Sequence, residues 1–315
     1  TLVIRDAEID SKRFEFGHHT VNAGSSDFRL KATYSDYELG GQQKEGYELM
    51  TYDYKAHINF NKEYGLFTSN SGASVVDFTI NQYLASIDKF EWYMNRESIK
   101  LENTSSENAP SLDGLSMKEL VDAEMSGAKF TSTNPFQDSL SFFADEALYD
   151  RKRNIIDADG VKMIRVADAA VFPSDGKVKI FKKADMDTIH NATMLTNVKT
   201  KHHPFYDVTV HIKGKNSFEG RGDYDYIDLT EAKQKIHFHR IFADKAKHTM
   251  ALGKVSEEQE FALSPYFDFQ GDVSLKSANQ FLSFDGGTRI KHICDTFERE
   301  WLKFAADIDP LGVMI

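Results

Sequence analysis

Side chains that switch between apolar and polar at every step leave a chain few folds, and this sequence does so repeatedly. In "YDYKAHINF" (52–60), Tyr52, Tyr54, Ala56, Ile58 and Phe60 alternate with Asp53, Lys55, His57 and Asn59. "YDVTVHI" sets Tyr206, Val208, Val210 and Ile212 against Asp207, Thr209 and His211, and "FRLKATY" (28–34) and "FEWYM" (90–94) repeat the pattern. A strand with one buried and one wet face produces this period of two, whereas a helix needs spacings of three and four.

Composition agrees. Of 315 residues, 41% are hydrophobic and 28% charged, which excludes wholesale disorder. The 24 Phe and 13 Tyr suit pleated, half-buried strands. With 49 acidic against 38 basic residues the net charge is −11, which argues against nucleic-acid and anionic-membrane partners. The single cysteine, Cys294, forms no internal disulfide, so this is no disulfide-stapled module. No apolar run is long enough for a membrane helix. The chain starts in a strand-like run, "TLVIRDAEI", without a signal-peptide pattern, and is expected to be a segment of a longer protein.

One stretch breaks the alternation. Residues 104–127 open polar, contain Pro110, and then carry a helical pattern: Ser116 as N-cap with Glu119 three residues on, and Gly127 as stop. Leu115, Leu120 and Val121 are expected to pin this helix to a sheet. The insertion divides an N-terminal β-half, 1–103, from a C-terminal β-half, 128–315. Near the end, Phe297, Trp301 and Phe304 also have helical spacing. The halves resemble each other: "IRDAEI" at 4–9 matches "VADAAV" at 166–171, and Tyr-Asp pairs recur at 52, 149 and 224. Such repetition fits an elongated β-solenoid of stacked coils, or else a large antiparallel sandwich.

Each chemical candidate has a plainer reading. Asp168, in the apolar run "VKMIRVADAAVF", reads as a buried acid or base, or as a corner residue that, like Asp6, accepts backbone hydrogen bonds. His237 and His239 share a strand face with His211 on a neighbouring strand, a zinc spacing; they also oppose Ile236 and Phe238, which puts them in solvent. Cys294 beside His292 is a conceivable nucleophile pair, or an ordinary buried cysteine. Asp223, Asp225 and Asp228 lack the Gly and Glu of a calcium loop. Tyr224, Tyr226 and Tyr266 stack on sugars if they point outward, and otherwise fill the core. "KGKNSFEGRG" has neither dinucleotide nor P-loop spacing, and no Gly-x-Ser-x-Gly elbow occurs.

The strand–turn–strand run "FFADEALYDRKRNIIDADGVKMIRVADAAVFPSDGKVKI", with its A-x-x-Y-D step, and the cadence of "TYDYKAHINFNKEYG", resemble the OstA-like fold of lipopolysaccharide transport, a folded-over β-taco or β-jellyroll. The resemblance covers about half the chain and departs at 104–127. It implies an apolar groove for an amphipathic glycolipid and end-to-end stacking in a bacterial cell envelope. Tyr52, Tyr54, Ala56, Ile58, Phe60, Tyr206, Val208, Val210 and Ile212 would line that groove, unless the bulky aromatics fill it.

The expectation is therefore an all-β, elongated stacked-strand β-solenoid or β-jellyroll (taco) with a short helical insertion. Its role is a non-catalytic envelope scaffold or binding module that uses no cofactor or metal. Its partners are lipid, neighbouring β-domains or copies of itself paired through strand edges. The alternative is a parallel β-helix lyase or hydrolase acting on polysaccharide, with two or three of Asp157, Asp159, Asp168, Asp207 and Asp223 brought together.

Overall fold

A computed structural model describes residues 1–32, 46–104, 111–228, 230–291 and 300–309. The protein is mostly β, and every described strand pairing is antiparallel. A parallel β-helix, the frame of the alternative reading, has no counterpart among these pairings. Contacts divide the chain into one unit of residues 1–115, 122–164 and 175–187 and another of 116–121, 165–174 and 188–315. Among the described residues no helix is long and apolar enough to cross a membrane.

The first unit opens with β1 (Leu2–Ile4), β2 (Ala7–Asp10), β3 (Glu15–Phe16) and β4 (Thr20–Lys31), and β4 pairs with the long strand β5 (Tyr47–Asn59). At β5 the sheet forks. Residues 54–59 pair with β6 (Tyr64–Ser69), while 49–51 pair with β7 (Ser74–Phe78). From there the chain lays down two strands in one ladder, turns a corner, and lays two in the other. β8 (Tyr83–Ile87) pairs with β7, and β9 (Lys89–Tyr93) with β6. β10 (Ser98–Glu102) follows β9, and β11 (Ala128–Ser132) follows β8. β12 (Ser141–Ala144) and β13 (Glu146–Asp150) extend the two ladders again, and β14 (Ile155–Asp159) pairs with β13.

The corners explain why polar residues interrupt apolar runs. Asp88, between β8 and β9, accepts hydrogen bonds from the Thr104 N–H at 2.8 Å and the Thr104 hydroxyl at 2.6 Å. Asn103 reaches the carbonyls of Ser86 and Gly127. Apolar faces of the ladders meet between these corners. Phe78 on β7 packs edge-on against Tyr149 on β13, and the Tyr54 hydroxyl donates to the Ile87 carbonyl at 2.7 Å. Phe28, Phe67, Phe90 and Trp92 form one aromatic cluster, each at most 1% exposed.

β15 (Ile164–Val166) pairs with β12 through Ile164 and Phe142, and β16 (Ala169–Phe172) pairs with β18 (Ile189–Thr196); β17 (Val178–Ile180) closes onto β14. β18 continues as a meander through β19 (His203–Gly214), β20 (Ser217–Ile227), β21 (Lys233–Ala243) and β22 (Thr249–Val255). β23 (Ala262–Ser264) and β22 both pair with β24 (Phe267–Lys276), which leads to β25 (Leu282–Ile290) and β26 (Leu302–Ile308).

The resemblance between "IRDAEI" and "VADAAV" is structural. Each run turns between two short strands, with Arg5 and Ala167 in the left-handed region at φ 56° and 51°. Ile9 then opposes Phe28, and Val171 opposes Met194. The next strand of each block carries a left-handed aspartate, Asp53 at φ 61° and Asp207 at φ 48°, at a shift in register. The chain therefore contains two copies of one strand block.

Two helix expectations change. The Ser116–Glu119 capping box forms, yet α1 spans only Met117–Leu120, and Leu115 is 37% exposed while Val121 is buried. Gly127 does not end α1. It sits at φ 105° before β11, where a Cβ would lie 2.5 Å from the Ala144 carbonyl oxygen. The region around Phe304 is strand β26, because Leu302, Phe304, Ala306 and Ile308 also satisfy a period of two and β25 offers a partner edge. Phe297 lies outside the described residues.

Candidate functional site

Asp168 occupies the turn between β15 and β16. Its carboxylate accepts the Thr249 N–H at 2.9 Å and hydroxyls from Thr249 and Ser277, while its carbonyl accepts the Val198 N–H at 2.9 Å. His248 Nδ1 stands 3.5 Å away. This is the corner role: a carboxylate whose acceptor sites are filled by structural donors has little capacity left for substrate. Asp6, at the equivalent corner, uses its carbonyl for the Lys31 N–H and its carboxylate for Arg151.

The remaining carboxylates fall in two places, each beside lysines: Asp157 and Asp159 on one face of β14, and Asp207 and Asp223 with Asp225 in one cleft. Asp157 faces Leu148 and Lys179 across β14, and Asp159 pairs with Lys177 at 3.3 Å. Asp207 and Asp223 share a shallow cleft with Lys235, whose ammonium is 4.0 Å from the first and 2.7 Å from the second. Partial burial pushes the Asp223 carboxyl up, but hydrogen bonds from Lys235 and His237 outweigh it and hold the group below the ordinary aspartate range. A general acid requires the opposite shift.

Two of the histidines have protein partners. His237 and His239 are exposed opposite buried Ile236 and Phe238, and His237 bonds Asp223 at 2.7 Å. His203 is fully buried, with Nε2 2.8 Å from the Asn279 carbonyl. Among the described residues no three His, Cys, Asp or Glu side chains form a metal-holding group. Asp225 pairs with Lys233 and Asp228 caps its own turn at Thr230 and Ala232, so "DYDYID" does not converge on a cation. Tyr224 and Tyr226 are core residues, while Tyr266 is 69% exposed. His292 and Cys294 lie outside the described residues.

Of the expected groove residues, Tyr54, Ala56, Ile58, Val208, Val210 and Ile212 are buried. Tyr52 and Phe60 are not: both are exposed, at 52% and 42%. Asp53 is the physical cause at Tyr52. Its left-handed backbone inserts an extra residue, so Thr51 and Tyr54 both point inward and the alternation slips by one. Phe60 follows the last residue of β5 and enters the turn. Asp207 acts likewise, so Phe205 and Val208 are buried while Tyr206 is only half-buried.

Two features had no signal in the sequence. An open cleft of 890 Å³ lies over β4–β6, lined by Asp10, Glu15, Asn22, Asp27, Lys55 and His57 among others. Its acids are occupied: Glu15 pairs with Arg13, Asp27 accepts the Asp53 N–H, and hydrogen bonds from Thr1 and Arg29 hold Asp10 below the usual carboxylate range. The second is a buried ion cluster in which Arg151 donates to both Glu48 and Asp6. Residues more than 100 positions apart in sequence meet there, so no local pattern announces it.

No family model matches the chain, and no curated protein matches it.

Proposed function

We propose that this chain is a non-catalytic β scaffold of the folded-over, jellyroll-like kind, serving a cell envelope by contact with neighbouring β-domains. The observation that carries this reading is the fate of the carboxylates. Asp159 pairs with Lys177, Asp168 is filled by Thr249 and Ser277, and Asp157 lies opposite Lys179. In the cleft of Asp207, Asp223 and Asp225 the lysines stand between the acids, with Lys235 and His237 holding Asp223 below the ordinary aspartate range. Glycoside chemistry needs two carboxyls in opposed protonation states across a substrate.

The fork at β5 and the alternating ladders support the folded-over architecture. Tyr54, Ala56 and Ile58 are packed, as are Val208, Val210 and Ile212, which favours a closed interior over an open acyl slot. A glycolipid partner would require the apolar faces to separate, at about 25 cal/mol for each Å² uncovered.

Native mass spectrometry of the purified chain, with a screen on acidic polysaccharides, tests this reading. The expected result is protein masses with no bound lipid, and no turnover. Co-purified amphipathic lipid would convert the scaffold into a carrier, and polysaccharide cleavage would overturn the proposal.

A further inference from the structure

The last described strand, β26, pairs only with β25 among the described residues. It runs seven residues without a bulge or proline, and Leu302, Lys303, Ala305, Ala306 and Asp307 are exposed. Natural edge strands are usually blunted by such devices, because an unpaired row of N–H and C=O groups is a template for another strand. Among the described residues this edge is regular over seven residues, and its two charges, Lys303 and Asp307, are opposite in sign.

The sequence of that edge reads as its own complement. Lay a second β26 antiparallel to the first about Ala305, and Leu302 faces Ile308, Lys303 faces Asp307, Phe304 faces Ala306 and Ala305 faces itself. Lys303, Ala305 and Asp307 share one face of the strand, so both lysine–aspartate pairs form on the same side. The apolar pairs fall on the other. Within its own sheet Lys303 stands opposite Gly287, which supplies no counter-charge, while Asp307 accepts a hydrogen bond from Ser283.

We propose that the β26 edge is a dimer interface for a second copy of this chain, paired antiparallel about a twofold axis at Ala305. An isologous contact of this kind closes, so it yields a dimer and not a filament. The inference rests on the scaffold reading only in treating strand edges as contact surfaces. The one-residue register is specified by charge, since any slip leaves Lys303 or Asp307 without its partner.

Sedimentation velocity and disulfide trapping test it on the whole chain in a Cys294→Ser background. Ala305→Cys places two thiols on the axis, where directly opposed Cα atoms are about 4.5–5.5 Å apart and a disulfide fits. Lys303→Cys places them about 14 Å apart, where it does not. Without added cysteine, Asp307→Lys is expected to weaken the dimer about tenfold by putting lysines opposite lysines, and the swap Lys303→Asp/Asp307→Lys is expected to restore it. A monomer at every accessible concentration overturns the inference, as does equal cross-linking at 305 and 303 or a failure of the swap to rescue. Those outcomes leave the scaffold reading standing, whereas lipid carriage or turnover removes that reading without touching this one.

Discussion

Replacing Glu48 with Gln tests how the first unit holds its opening hairpin. Glu48 on β5 has a side chain 1% exposed, and Arg151, in the turn between β13 and β14, is 9% exposed; Asp6, at 38%, is the outer member of the cluster. Glutamine keeps the shape of Glu48 and removes its charge, leaving the buried guanidinium with Asp6 as its anionic partner. Breaking a buried pair by removing one partner costs about 3–5 kcal/mol. Asp6 still compensates part of the Arg151 charge, so the lower end, about 3 kcal/mol, is expected. Asp6→Asn, at the wetter position, is expected to cost about 1 kcal/mol. The double replacement Glu48→Met/Arg151→Met removes both charges together and should recover most of the loss. Urea unfolding followed by Trp92 fluorescence reads this unit, because Trp92 is 1% exposed; a Trp301→Phe background removes the other indole. A Glu48→Gln loss below about 0.5 kcal/mol, the scale of an ordinary surface change, would refute the reasoning. So would a double variant less stable than Glu48→Gln.

Other consequences follow from single contacts. Gly160→Ala adds a Cβ at φ 76°, 2.2 Å from the Asp145 carboxylate, and is expected to lower the urea midpoint by about 1–3 kcal/mol equivalent; an unchanged midpoint would contradict the corner geometry. Asp168→Ala strips acceptors from Thr249 and Ser277 and should destabilise the second unit by about 2–4 kcal/mol, seen as faster amide exchange at Thr249. Phe136, 92% exposed, should tolerate alanine within about 0.5 kcal/mol by the same melt. His203 is held below the usual histidine range chiefly by burial. Its folded pKa thus lies below the unfolded 6.5, so its stabilising contribution is complete above that pH and fades as pH falls below it. Urea midpoints between about pH 6.5 and 5.5 should decline, and His203→Gln should flatten that slope; a parallel decline in the variant would assign it to other groups.

The β character of this protein was open to inspection in the sequence, because inside and outside residues of a strand alternate whatever the strand pairs with. Thus Ile58 and Val210 are buried opposite exposed or half-exposed histidines, and His237 and His239 face solvent, as their neighbours require. The Ser116–Glu119 box was equally local, involving atoms three residues apart. Strand rhythm also continues through positions where the backbone breaks it, and there the reading fails. Tyr52 looks identical in spacing to Tyr54, and only the left-handed Asp53 turns one outward and the other in. Phe304 satisfies helical and strand periods at once, and the edge of β25 decided between them.

Alternation, capping and the repeated Asp-Ala corner belong to the sequence itself, since each depends on interactions among residues a few positions apart. The forked ladders, the Arg151–Glu48–Asp6 cluster and the lysines that meet the carboxylates belong to the tertiary structure. Each joins groups remote along the chain, and no local spacing encodes which distant strand edge a given strand will meet.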